Sequence, residues 1–168
     1  MTKLRLPLLL TALLLTAATV SAEDSLLEKP KARSLTPAEQ PMFGPKSGGL
    51  HYDPRMIKAA EIARQRAHPR MTWHCWAYVK DALLAANVVA SRPETAWARQ
   101  AGTELTNRYG FKKLSTLNPY SAPVGAVIVY GGADAGHVEL RTSNGFASDF
   151  VSRIPYPRPV LGIYVKPV

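Results

Sequence analysis

The sequence of 168 residues holds a single cysteine, and no internal disulfide can form from it. A structural zinc site needs close-paired ligands, which one cysteine and four scattered histidines do not supply. No cofactor or metal is expected. Acidic residues are few, 12 against 21 Lys and Arg, so the formal charge is +9. Such an excess suits anionic partners: cell-wall polymers, lipid headgroups, lipopolysaccharide. Nucleic acid is not expected, because no binding motif is present and no basic run is interleaved with aromatics. Long apolar runs are missing as well. Leu8 to Val20 carries no charge, but it is on the order of a dozen residues and a membrane span needs about twenty. No internal repeat is found.

That short run has its own meaning. Lys3 and Arg5 precede it, and Val20-Ser21-Ala22 ends it with small residues. This is the pattern of a cleaved secretory signal over residues 1–22. No cysteine follows the run directly, so a lipoprotein anchor is not expected, and no stable membrane anchor should remain after cleavage. The mature chain would be periplasmic or secreted. Losing Lys3 and Arg5 lowers the charge from +9 to +7. A lone thiol in an oxidising compartment is paired with another chain, kept because it reacts, or buried as a bystander. Residues 23–50, with Pro30, Pro37, Pro41, Pro45, Gly44, Gly48 and Gly49, read as a linker or an extended arm. One folded domain, residues 51–168, is expected to follow, as a monomer.

Helical signals come first in that domain. Asp53-Pro54 is a helix entry, with Met56, Ile57, Ala60 and Ala63 at helical spacing after it. His68 reads as a solvated loop residue and His51 as a helix-flanking one. Thr72 to Asn87 predicts a second helix of about four turns. Thr72 would cap its start and Asn87 its left-handed end. Val79, Ala82, Leu83 and Ala86 share an apolar face, while Lys80 and Asp81 look outward. Cys75 falls in the first turn, where the helix dipole favours a thiolate. Ser91 and Glu94 make a capping box for a short helix to about Ala101, ended by Gly102. Thr103 to Ser121 reads as loop.

The period then changes to that of strands. Ala126 to Tyr130 is a continuous apolar run, expected to be buried on both faces. A glycine-rich connection, residues 131–136, leads to the alternating stretch His137-Val138-Glu139-Leu140-Arg141. Val138 and Leu140 face one side; His137, Glu139 and Arg141 face the other. After a turn at residues 142–145, Phe146 to Val151 and Val160 to Lys166 complete the strands. Helices first and an antiparallel meander afterwards make an α+β fold. An imidazole, a nearby carboxylate and a cysteine at a helix start are the parts of a thiol nucleophile. Asp149 on the partner strand and Glu139 on the same strand are both candidates for the carboxylate.

This order of motifs resembles the NlpC/P60 and CHAP peptidoglycan hydrolases of papain-like type. The matches are Cys75 with Trp76, Tyr78 and Val79; Pro123-Val124-Gly125-Ala126 ahead of the apolar strand; Gly136-His137-Val138; and Asp149. Ala126 departs from the family's usual aspartate. The resemblance covers residues 72–165. It implies N-terminal helices packed on an antiparallel sheet, and a cysteine hydrolase cutting amide bonds in peptidoglycan. Endopeptidase action on the stem peptide is favoured over amidase action at the sugar–peptide junction. Catalytic roles would fall to Cys75, His137 and Asp149, with Glu139 as the alternative, and Trp73 and His74 would line the substrate cleft. A wall-binding module of the same fold without catalysis, or a cysteine acyltransferase, are the competing readings.

Overall fold

Two helices laid on an antiparallel sheet bring the Cys75 and His137 segments together. The computed structural model describes residues 46, 47 and 49–168; the signal segment and most of the linker read from the sequence lie outside the described residues. Pairing starts within the stretch read as linker, where β1 (Lys46–Ser47) and β2 (Leu50–His51) form a two-stranded sheet. Helix α1 (Arg55–Arg66) follows, with Pro54 at the N-cap rather than at the first helical position; Asp53, one residue earlier, accepts at Oδ1 from the Arg55 N–H at 2.9 Å. Its inward face is Met56, Ala59, Ala60 and Ala63, whereas Ile57 is exposed. Three alanines let a neighbouring helix approach closely.

That neighbour is α2 (Cys75–Ala85), which packs on α1. It starts later than Thr72 predicts. The side-chain hydroxyl of Thr72 is committed to Asp149 instead, and His74 holds the N-cap position without a side-chain cap bond. Asn87 closes the helix at φ 58°, the left-handed conformation expected of it. Val79, Ala82 and Leu83 are buried, and so is Lys80. Lys80 bends its Nζ to the Thr95 carbonyl at 2.5 Å and lies over the Trp76 ring, covering apolar surface with its stem.

The segment after α2 departs furthest from expectation. No helix forms over residues 91–97. A short 3₁₀ turn (Ala98–Gln100) leads into α3 (Ala101–Tyr109), which occupies residues read as loop. Gly102 lies inside α3 rather than ending it. A Cβ there would sit 2.3 Å from the Tyr164 ring, so the glycine admits that ring. The true stop is Gly110, at φ 71°. Glu94 caps nothing. Its N–H, with that of Thr95, donates to the buried Glu104 carboxylate at 2.6 and 3.1 Å, a tertiary contact that overrides the local capping pattern.

The expected α+β architecture holds. Six strands, β3 (Lys112–Lys113), β4 (Val127–Tyr130), β5 (His137–Thr142), β6 (Gly145–Ala147), β7 (Val151–Ser152) and β8 (Val160–Val165), form one antiparallel sheet in the order β3-β8-β4-β5-β6-β7. All four residues of β4 are buried. The expected strand Phe146 to Val151 is broken in two. Ser148 turns to donate its N–H to Phe150, so Asp149 lies at a corner between β6 and β7. Helix α2 packs against β5, and this places Cys75 beside His137. Among the described residues no helix is long and apolar enough to cross a membrane.

Candidate active site

A cleft of about 280 Å³ opens at the N-terminus of α2. Trp73, His74 and Cys75 line one side and Asp134, Gly136, His137, Tyr156 and Arg158 the other. Cys75 is half-buried. As the first helical residue, it has an N–H with no intrahelical acceptor.

His137 begins β5, directly after Gly136 at φ 75°. A Cβ on Gly136 would lie 2.6 Å from the Tyr130 carbonyl, so only glycine lets the chain turn into the strand here. The His137 imidazole is 3% exposed. Its Nε2 faces Glu139 Oε2 at 3.5 Å and makes no hydrogen bond. The ring also interacts with the Cys75 side chain. Burial by itself lowers the basicity of His137. The hydrogen bond to Cys75 and the Glu139 carboxylate outweigh it and hold the ring at about 9.

Glu139 is the carboxylate that meets the imidazole. It shares the His137 face of β5, as the alternation requires, and it is buried. Tyr130 donates its hydroxyl to Glu139 Oε1. These two residues are diagonal neighbours across the β4–β5 pair, where Tyr130 lies opposite His137. Tyr156 stacks on the His137 ring at 3.9 Å and 22°. Sequence reasoning passed over both tyrosines. The hairpin register could have given Tyr130; Tyr156 lies in a proline-broken loop with no periodicity to point to it.

Asp149 lines the same cleft but turns its carboxylate to the backbone. Oδ2 accepts from the Thr72 N–H at 2.7 Å, the Thr72 hydroxyl at 2.9 Å and the His74 N–H at 3.2 Å, and Oδ1 from the Ser148 hydroxyl at 3.0 Å. Burial pushes its acidity down, but these donors from Thr72, His74 and Ser148 prevail and hold the carboxyl below its usual range. Between the two anchored residues, Trp73 is forced into the left-handed region at φ 66° and is 79% exposed. A bulky residue tolerates that conformation at a cost of about 1–3 kcal/mol, and such strain gathers at working sites. His74 is exposed at the cleft, and His68 bonds the Tyr78 hydroxyl rather than being simply solvated. Among the described residues no cluster of three or more His, Cys, Asp or Glu could hold a metal ion.

The raised basicity of His137 makes stability depend on pH. Folded His137 keeps its proton up to about 9, against 6.5 for a free ring, so folding takes up a proton between these values. The resulting stabilisation is complete below about pH 6.5 and is lost as pH rises through 9. Thermal melts of the wild type from pH 6 to 10 should fall by more than those of His137→Gln; parallel curves would contradict the coupling.

No protein-family model and no curated protein matches the chain. Solved structures that share its fold include the native and selenomethionine crystal forms of the type VI effector–immunity complex Tae3–Tai3 from Ralstonia pickettii. The native form is 24% identical, spans 66% of this chain and 98% of its own, and has a TM-score of 0.55. The second is 24% identical over 64% of this chain and 99% of its own, with a TM-score of 0.52. What this likeness establishes is a common α+β fold, with helices against an antiparallel sheet.

Proposed function

We propose that the chain is an exported cysteine hydrolase that cleaves amide bonds in peptidoglycan, with the stem peptide favoured over the sugar–peptide junction. The observation that carries this reading is the contact between a thiol at a helix N-terminus and an imidazole backed by a buried carboxylate. Cys75 and His137 share one proton as a thiolate–imidazolium pair, with the proton resting on the imidazole. Sγ attacks the amide carbonyl carbon, and the oxyanion is met by the Cys75 N–H. His137 returns the proton to the leaving nitrogen as the C–N bond breaks. Water, deprotonated by the same imidazole, then cleaves the thioester and restores the thiol. Glu139 fills the orienting role in this scheme, while Asp149 holds the loop that presents Trp73. The order of motifs shared with NlpC/P60 and CHAP enzymes supports the choice of substrate, as does the basic charge.

The test is digestion of purified peptidoglycan with the mature protein, followed by mass analysis of the fragments. Stem-peptide endopeptidase action releases shortened peptides still attached to glycan. Release of whole stem peptides would move the cut to the sugar–peptide junction, and an unchanged wall would remove the hydrolase reading.

A further inference from the structure

The cleft has one charged rim that the chemistry above does not use. Arg158 pairs through Nη1 with Asp134 Oδ1, and Asp134 Oδ1 also accepts from the Gly136 N–H at 3.0 Å. The guanidinium lies 5.6 Å from the centre of the Tyr156 ring, the same ring that stacks on His137 at 3.9 Å. Arg158 therefore sits one aromatic ring beyond the imidazole. At about 3.3 Å per extended residue, that is roughly two or three residues along a bound peptide from the scissile amide.

Three features show that the guanidinium is placed rather than trailing in solvent. Its side chain is 30% exposed, against 58% for Asp134. Pro157 and Pro159 flank it, and the Gly131 N–H donates to the Pro159 carbonyl at 2.9 Å, tying the two cleft loops together. A Cβ on Gly132 would lie 2.3 Å from Arg158 Nη1, so the loop backbone leaves room for this group.

We infer that Arg158 is the specificity-determining residue of the cleft, binding a free carboxylate that the peptide substrate carries two or three residues from the cut. This rests on the hydrolase reading. Arginine offers five donors in a planar fork, and the contact with Asp134 engages only Nη1. An exposed ion pair is weak, so a substrate carboxylate can take the place of Asp134 or share the guanidinium with it. Protonation does not gate the exchange, because the hydrogen bond from Arg158 and that from the Gly136 N–H hold Asp134 at about 2. Met71, Trp73, Ala96 and Ala98 also line the cleft and offer apolar surface to the rest of the ligand.

The probes are a synthetic peptidoglycan stem peptide with its carboxylates free and analogues in which each carboxylate in turn is a carboxamide. Binding is measured by calorimetry to Cys75→Ala protein, and kcat/KM on the intact enzyme. One carboxamide should weaken binding about ten- to a hundredfold, the worth of a charge-assisted pair. Arg158→Gln should abolish that difference and raise KM more than it lowers kcat. Asp134→Asn, which keeps Oδ1 as an acceptor, should tighten binding of the free-carboxylate peptide. If Arg158 only latches the two loops, Arg158→Gln and Asp134→Asn weaken all the peptides alike, and the inference falls. It falls also if no peptide binds. If the intact enzyme cuts none of them while the Cys75→Ala protein keeps the Arg158-dependent preference, the carboxylate site stands and the hydrolase reading fails.

Discussion

Cys75→Ala protein should leave purified peptidoglycan intact, with kcat reduced by at least about three orders of magnitude. In the proposed mechanism the bond-forming atom is Sγ, and no other thiol exists in the chain to replace it. Cys75 is half-buried at the first position of α2, so alanine keeps the helix and removes one sulfur atom. Its melting temperature should stay close to that of the wild type. This pairing of a lost activity with a kept fold separates a nucleophile from a core cysteine. A Cys75→Ala protein that still released fragments would end the thiol mechanism, and with it the roles assigned to His137 and Glu139.

The second large effect is expected from Glu139→Gln. Removal of an orienting carboxylate can lower kcat by about four orders of magnitude. Gln keeps the volume and an acceptor for the Tyr130 hydroxyl, so the loss would come from the missing charge beside the imidazole. The pH profile gives a second readout. In the wild type, kcat/KM should decline as pH rises through about 9, where His137 loses its proton. Because Glu139 helps to hold that proton, the alkaline limb should move to lower pH in Glu139→Gln. Asp149→Asn should behave differently. It weakens the four bonds to Thr72, His74 and Ser148, so melting temperature and KM should suffer while the alkaline limb stays in place. If Asp149→Asn shifted the limb and Glu139→Gln did not, the orienting role would belong to Asp149.

The strands were legible in the sequence because burial wrote itself into their period. The run Ala126 to Tyr130 and the alternation from His137 to Arg141 needed no tertiary knowledge to read. The same alternation put Glu139 on the face of His137. Where long-range contacts decided, local signals misled. Ser91 and Glu94 make a plausible capping box, yet Glu104 claims the Glu94 and Thr95 amides and the helix forms ten residues later. Gly102 looks like a helix stop until the Tyr164 ring is seen against it. Asp149 looked like a hairpin partner of His137, but the strand bends at Ser148 and spends the carboxylate on Thr72 and His74. Sequence spacing cannot report a bend of this kind. Lys80 reads as outward by charge alone, and only the position of the Thr95 carbonyl explains its burial.

The division of the cleft between packed elements and loops bears on how such a protein can diversify. Cys75, His137 and Glu139 stand on α2 and β5, whose neighbours are core residues such as Val79, Leu83, Val138 and Leu140. Trp73, Asp134 and Arg158 stand on connecting segments at the surface. Surface substitutions away from special features usually change stability by no more than about 0.5 kcal/mol, whereas core changes routinely cost several times that. Random libraries confined to residues 133–135 and 153–155 should therefore remain largely folded while ranging over new ligands. Libraries over 137–142 should yield mostly unfolded chains. Recognition can thus drift between lineages, or be selected at the bench, over a proposed reaction centre that stays fixed.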